Sequence, residues 1–294
     1  MDLLRALARD PRAPYDAVGA ATGLSGNAVK ARLARLREEG VLQGIHALPR
    51  AAHLGLREGL LVFDRVDDAA EREEELLRGL PEVPGILHAD VGHDSVHAHV
   101  LFRDDADWER IERAAISLTG KPPAHRVQLP PSDAPHLAPA DWRILDALLT
   151  DGRLPLGELA RVSDLSPKTV RRRLAALLEH GDIILEPILS PAEAHGFALA
   201  HAIVDAPEDA ALPEGVFTLA PRARLLHVYA ARESLREAHA ALSAVRAIPG
   251  VQRALPIVGT RRSAEGWLKD AVAAARVRVA PAPELPAAPP TVRR

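Results

Sequence analysis

Four residues in one short stretch, His88, Asp90, His97 and His99, carry side chains that hold a proton, a divalent metal or an anion near neutral pH. Their spacing brings them together. With a two-residue turn at His93-Asp94, antiparallel pairing sets His88 opposite His99 and Asp90 opposite His97, about 5 Å apart, with Asp94 at the turn. The same register gathers Leu87, Ala89, Val91, Val96, Ala98 and Val100 on the other face, an apolar set suited to packing under helices. The polar face is a candidate effector or metal site, the competing reading being a half-polar assembly surface. The other histidines, His53 and His201 among them, show no ligand spacing.

A second chemistry lies on two basic helices. Ser25, Asn27, Lys30, Arg32 and Arg35, with Ala31 between them, share the outward side of one, and Ser166, Lys168, Thr169, Arg171 and Arg172 share that of the other. Asn bonds adenine through two atoms, Arg and Lys bond guanine or phosphate, and small neighbours let a helix enter a major groove. Double-stranded DNA is the partner these residues imply.

The helices belong to a duplicated unit. A shift that carries Leu4 onto Leu145 also carries Asp10, Arg12 and Pro14 onto Asp151, Arg153 and Pro155, and Leu24, Ser25, Val29, Arg32, Leu33 and Gly40 onto Leu165, Ser166, Val170, Arg173, Leu174 and Gly181. In each copy a first helix is followed by a short second one with Val18 and Ala21 inward, then a third capped by Ser25 or Ser166. That third helix buries Val29, Leu33 and Leu36, or Val170, Leu174 and Leu177, and stops at a glycine. A small hairpin built on residues 41–48 or 183–189 completes a winged helix-turn-helix.

After each winged module the hydrophobic period changes from 3.6 to 2. The first half reads strand 59–66, helix 68–80, strands 86–91 and 96–102, helix 106–118 and strand 125–129, the βαββαβ order of a ferredoxin-like module. The second half reads strands 198–204, 216–219 and 225–230, helix 234–248 and strand 252–258, its first helix shrunken to 207–213, with a further helix at 265–276. The fold class is therefore α+β, with a degenerate second copy. Domains are expected at 1–50 and 136–190 (winged), 51–135 and 191–279 (ferredoxin-like), and 280–294 as a disordered Pro/Ala-rich tail.

Composition agrees with folded modules. The 294 residues are 47% hydrophobic but 3% aromatic, so Ala, Leu and Val must fill the cores. Absence of cysteine excludes disulfides and thiolate chemistry. The net charge of −3 is uneven: residues 1–50 hold 8 basic and 5 acidic side chains, a balance of +3, whereas 51–135 hold 9 and 17, a balance of −8. A charged start and no apolar run of ~18 residues predict a cytoplasmic protein with no membrane partner.

The run from Leu24-Ser25-Gly26-Asn27 through Val29, Arg32 and Leu33 to Gly40-Val41-Leu42 resembles the helix-turn-helix core of the leucine-responsive/AsnC (Lrp/AsnC) transcriptional regulators. The resemblance covers about residues 2–130 and again 140–260. It implies a sequence-specific DNA-binding regulator, an amino-acid effector, and sheets that pair between ferredoxin-like modules. In a tandem chain that pairing is expected internally, as a pseudo-dimer, with further homo-oligomers as an extension. No Gly-x-Ser-x-Gly, Walker, Gly-x-Gly-x-x-Gly or His-Glu-x-x-His motif occurs, so no enzyme and no resident cofactor are expected beyond a metal or amino-acid effector at the histidine face. Two alternatives share the architecture: a resemblance to siroheme decarboxylases, which combine AsnC-like modules, and an interaction module that no longer binds DNA.

Overall fold

The computed structural model describes residues 2–64, 70–92, 95–131, 133–190, 193–195, 197–205, 211–213, 216–218, 225–251, 253–257, 259–263 and 266–279. Asp94, residues 207–210 of the shrunken helix expected at 207–213, and the disordered tail expected at 280–294 lie outside these residues; 211–213 are not helical. Helices α1 (Asp2–Arg9), α2 (Tyr15–Thr22) and α3 (Gly26–Glu38) form the first winged module, α6 (Pro139–Leu148), α7 (Leu156–Ser163) and α8 (Pro167–Glu179) the second. Gly23, at φ +70°, makes the turn into α3; Asp164, at φ 52°, does so at the equivalent position before α8. The serine hydroxyls cap as expected, Ser25 accepting from the Ala28 N–H and Ser166 from the Thr169 N–H. Val29 and Leu33 are buried and Leu36 half-buried, whereas Val170, Leu174 and Leu177 are all buried. Ala21, expected inward, is exposed: α2 turns Val18 and Gly19 to the core, and residue 21 lies about 200° further round.

The wing differs from expectation. Each module supplies one strand, β1 (Leu42–Pro49) and β6 (Ile183–Leu189), and these pair antiparallel with each other, Ile45 opposite Pro187 and His46 opposite Glu186. Among the described residues neither module has a second strand with which to close its own hairpin, and the backbone donors of one wing are met by the acceptors of the other. The two helix-turn-helix units thus share one core, in which Leu7, Val29, Leu33, Leu145, Leu148, Val170 and Leu174 all take part.

Two antiparallel sheets follow. The first runs β11-β3-β4-β2-β5, from β2 (Arg57–Asp64), β3 (Ile86–Gly92), β4 (Ser95–Phe102), β5 (His125–Gln128) and β11 (Gly259–Ser263). The second runs β10-β7-β9-β8, from β7 (Ala198–Asp205), β8 (Val216–Thr218), β9 (Leu225–Arg232) and β10 (Arg253–Ile257). Setting β11 aside, both have the ferredoxin-like strand order, and β11 carries the second half of the chain onto the edge of the first sheet beside β3.

Helices α4 (Ala70–Gly79) and α5 (Asp105–Thr119) cover one face of the first sheet, over Leu61, Phe63, Ala89, Val91, Val96, Ala98 and Val100. Leu87 is not in that set. A bulge between Ile86, opposite Val100, and His88, opposite His99, makes Leu87 the extra residue; it packs in the winged-module core while Ile86 takes its place under the helices. On the second sheet α9 (Leu235–Val245) covers Ala200, Ala202, Val204, Val228 and Ala230. The uncovered faces meet: Leu60, Val62 and Leu129 of the first half pack with Ile203 of the second. Helix α10 (Gly266–Val279) returns to the centre, burying Leu268, Val272 and Ala275 there and donating the Trp267 indole N–H to the Ile86 carbonyl at 2.8 Å. Among the described residues, no helix is long and apolar enough to cross a membrane.

Candidate functional site

The third helix of each module leaves its basic side outward. Asn27, Lys30, Ala31, Arg32 and Arg35 are exposed on α3, and Lys168, Arg171 and Arg172 on α8. Not all of the polar residues there are available to a ligand. Ser25 and Ser166 are engaged as caps, the Thr169 hydroxyl bonds that of Ser166 at 2.9 Å, and Arg35 holds Glu39 at 2.7 Å one turn along its own helix. Hydrogen bonding to Glu39 raises the Arg35 guanidinium further above its ordinary value. Arg173, the counterpart of Arg32, turns inward to Asp141 at 3.0 Å. Asp141, in the first turn of α6, also accepts the Ala138 N–H at 3.0 Å, whereas Arg32 is exposed.

The two helices are held by a device the sequence reading missed. Arg12 donates to the carbonyl oxygens of Gly152 and Leu154, and Arg153 donates to those of Pro11 and Ala13 at 2.7 and 2.8 Å. These are equivalent bonds, since 152 − 11, 154 − 13 and 153 − 12 are all 141. Each arginine is itself set by an aspartate two residues earlier, which accepts its backbone N–H: Asp10 for Arg12 and Asp151 for Arg153. Burial, and after it the nearby charge of Arg153, lowers the Arg12 pKa from its ordinary value. The repeated Asp-x-Arg was visible in the sequence, but nothing in it shows that each copy clamps the other.

The histidine face forms as the spacing predicts, with His88 opposite His99 and Asp90 opposite His97. All four side chains are buried, at 1–7% exposure. What faces them comes from strands distant in sequence. His88 Nε2 stands 3.6 Å from Glu186 of β6, Asp90 Oδ1 stands 3.8 Å from His201 Nδ1 of β7, and His99 Nε2 stands 3.7 Å from Glu58 of β2. The His201 ring stacks on Tyr229, with centroids 4.7 Å apart. A shared metal does not fit this arrangement. Each carboxylate faces its own imidazole, and among the described residues no three His, Asp or Glu side chains converge as a metal set. The layer is one of imidazole and carboxylate groups buried between the halves, each carboxylate set against an imidazole away from water. His201, set aside for want of ligand spacing, belongs to it because β7 approaches β3 only in three dimensions.

His53, likewise set aside, lies in the three-ten turn Ala51–Leu54 and bonds Asp182 of the second half at 3.1 Å. Arg50 beside it donates to the His180 carbonyl at 3.1 Å. Burial lowers the His53 pKa, and Asp182 opposes that shift.

Comparison with known proteins bears on these sites. An AsnC-type helix-turn-helix domain matches residues 1–37, and a winged helix-turn-helix DNA-binding domain matches residues 137–183. No curated protein matches the chain. Among solved structures, the siroheme decarboxylase NirDL in co-complex with an iron-uroporphyrin III analogue is similar at 17% identity, with 93% of this chain and 98% of that chain covered and a TM-score of 0.42. Another structure of NirDL is 14% identical, with 93% and 99% covered and a TM-score of 0.42. The leucine response regulatory protein LrpA of Mycobacterium tuberculosis is 23% identical, with 46% of this chain and 95% of that chain covered and a TM-score of 0.33. At such identities and TM-scores no residue role or activity is carried over. One expectation is nevertheless corrected: structures of an enzyme match over nearly the whole length of this chain, so the reading that it is not an enzyme is withdrawn. With an AsnC-type helix-turn-helix opening the first half, a winged helix-turn-helix opening the second and a ferredoxin-like sheet after each, the chain is Lrp/AsnC-like.

Proposed function

We propose that the chain is a sequence-specific DNA-binding transcriptional regulator of Lrp/AsnC type that carries two reading heads in one polypeptide. The observation that carries this reading is the pair of outward basic helices, α3 and α8, fixed to each other by the Arg12 and Arg153 bonds and by the β1–β6 ladder. A chain built so offers both heads to one duplex without a second subunit, and the contact between its two sheets takes the place of a subunit pair. The test is binding of the purified chain to genomic duplex fragments at several salt concentrations. A regulator retains selected fragments over random duplex and weakens as salt rises; equal, salt-insensitive retention of all fragments refutes the reading.

The buried layer of His88, Asp90, His97, His99, Glu186 and His201 favours a second reading, in which this layer receives a small molecule, as effector or as substrate. Imidazoles ligate the iron of a metallated tetrapyrrole and donate protons to its carboxylates. A Soret band that shifts when an iron tetrapyrrole is added, and that His88→Leu and His201→Leu abolish, supports this reading; an unshifted band removes the tetrapyrrole from consideration.

A further inference from the structure

The two reading heads are related by an approximate twofold axis. In the β1–β6 ladder, paired residue numbers sum to 232 from Ile45 and Pro187 to Pro49 and Ile183, while equivalent residues differ by 141. Both conditions hold together midway between residues 45 and 46 and between 186 and 187, and there the axis passes. The reciprocal arginine bonds obey the same symmetry. Helices related by a twofold axis meet a duplex as an inverted pair.

The faces they present are unequal. Four equivalent positions carry Asn27 and Lys168, Lys30 and Arg171, Ala31 and Arg172, and Arg35 and Ala176. No position matches. On α8 the cations Lys168, Arg171 and Arg172 stand exposed with an apolar residue at 176, whereas at the same four positions α3 offers an amide, one lysine, a methyl group and an arginine already paired with Glu39; beside these α3 also exposes Arg32, whose counterpart Arg173 turns inward to Asp141. Arginine and lysine select guanine, and asparagine selects adenine.

We propose that the chain reads two inverted half-sites that differ in sequence, and so binds in one orientation only: α8 takes a guanine-rich half, and α3 takes a half that presents an adenine to Asn27. This rests on the DNA-binding reading above and adds to it the form of the target. A homodimer of one such module faces a palindrome by necessity. A tandem chain, whose copies vary independently, escapes that constraint and acquires a direction on the duplex.

The test is enrichment of duplexes from a random pool by the full chain, followed by sequencing. The wild type should enrich two inverted halves of unlike sequence and bind that site at least about tenfold more tightly than a perfect palindrome of either half, the discrimination expected of one or two base contacts. A variant carrying Asn27→Lys, Lys30→Arg, Ala31→Arg and Arg35→Ala should enrich the palindrome of the guanine-rich half. The converse variant, Lys168→Asn, Arg171→Lys, Arg172→Ala and Ala176→Arg, should enrich the palindrome of the other. Enrichment of a perfect palindrome by the wild type, or of one unchanged motif by all three proteins, overturns the proposal and leaves DNA binding standing. Enrichment of nothing by the wild type removes the DNA-binding reading and the proposal with it.

Discussion

Arg12 and Arg153 each close the other's loop, Arg12 on the carbonyls of Gly152 and Leu154 and Arg153 on those of Pro11 and Ala13. The relationship is reciprocal but not identical: the Arg153 guanidinium also lies over the Tyr15 ring, 4.8 Å from its centroid, and residue 156, the counterpart of Tyr15, is a leucine. The pair ties the two winged modules together, because the loops it joins lead directly into α2 and α7.

Removing either arginine should therefore loosen the heads as well as destabilise them. Arg153→Ala gives up two charge-assisted bonds and a ring contact, and a loss of about 2–3 kcal/mol in urea unfolding is expected. Arg153→Lys should recover little of it, since one ammonium cannot span two carbonyls as the planar fork does. Full recovery by lysine would mean that charge, and not the two-carbonyl geometry, is what matters.

On DNA the two helices should separate charge from sequence reading. Replacing Lys168, Arg171 and Arg172 together by Ala should flatten the slope of log K against log salt by up to about 3 units on any duplex. Asn27→Ala should instead cost about 1–3 kcal/mol on the preferred site and leave random duplex nearly unaffected. Titrations by fluorescence anisotropy at several salt concentrations measure both, and equal losses for Asn27→Ala on specific and random duplex would remove its role in reading a base.

The buried pair His88 and Glu186 joins β3 to the wing strand β6 of the other half. Glu186→Ala leaves the imidazole without its carboxylate, and a loss of about 3 kcal/mol or more is expected. The double replacement His88→Leu with Glu186→Leu should restore much of that stability, because an apolar pair of similar volume carries no desolvation cost. Urea unfolding of the wild type and both variants decides it; a double variant weaker than Glu186→Ala would show that the polar pair is required for the two halves to meet.

His53 makes the contact between the halves sensitive to acid. Burial holds its folded pKa below the ordinary value of about 6.5, against the opposing pull of Asp182. The native state therefore binds fewer protons than the unfolded one, so stability rises with pH across that interval. The contribution is complete above about pH 6.5 and is lost as pH falls through the folded value. Besides Asp182, Arg50 is the charged group beside it, and the His180 imidazole lies on the far side of Asp182, 3.8 Å from that carboxylate. His53→Leu should remove part of the stability lost between about pH 7 and 5, measured as unfolding midpoints at fixed salt. An unchanged acid slope in that variant would assign the sensitivity to other groups.

Local chemistry determined a great deal of this molecule. The capping serines, the inward residues of α3 and α8, the stop glycines and the pairing of His88 with His99 all depend on interactions within a few residues or across one tight turn, and period and spacing record such interactions directly. Leu87 marks where this ends: a bulge costs nothing in the alternating pattern, so only the ladder reveals that Ile86 has taken its place. The partners of the wing strands, the hold of Arg12 and Arg153 on each other's loops, and the placing of Glu186 and His201 against His88 and Asp90 were decided by tertiary structure. Each joins residues more than 90 positions apart from opposite halves, and no periodicity in a chain encodes which of its two copies a side chain will meet.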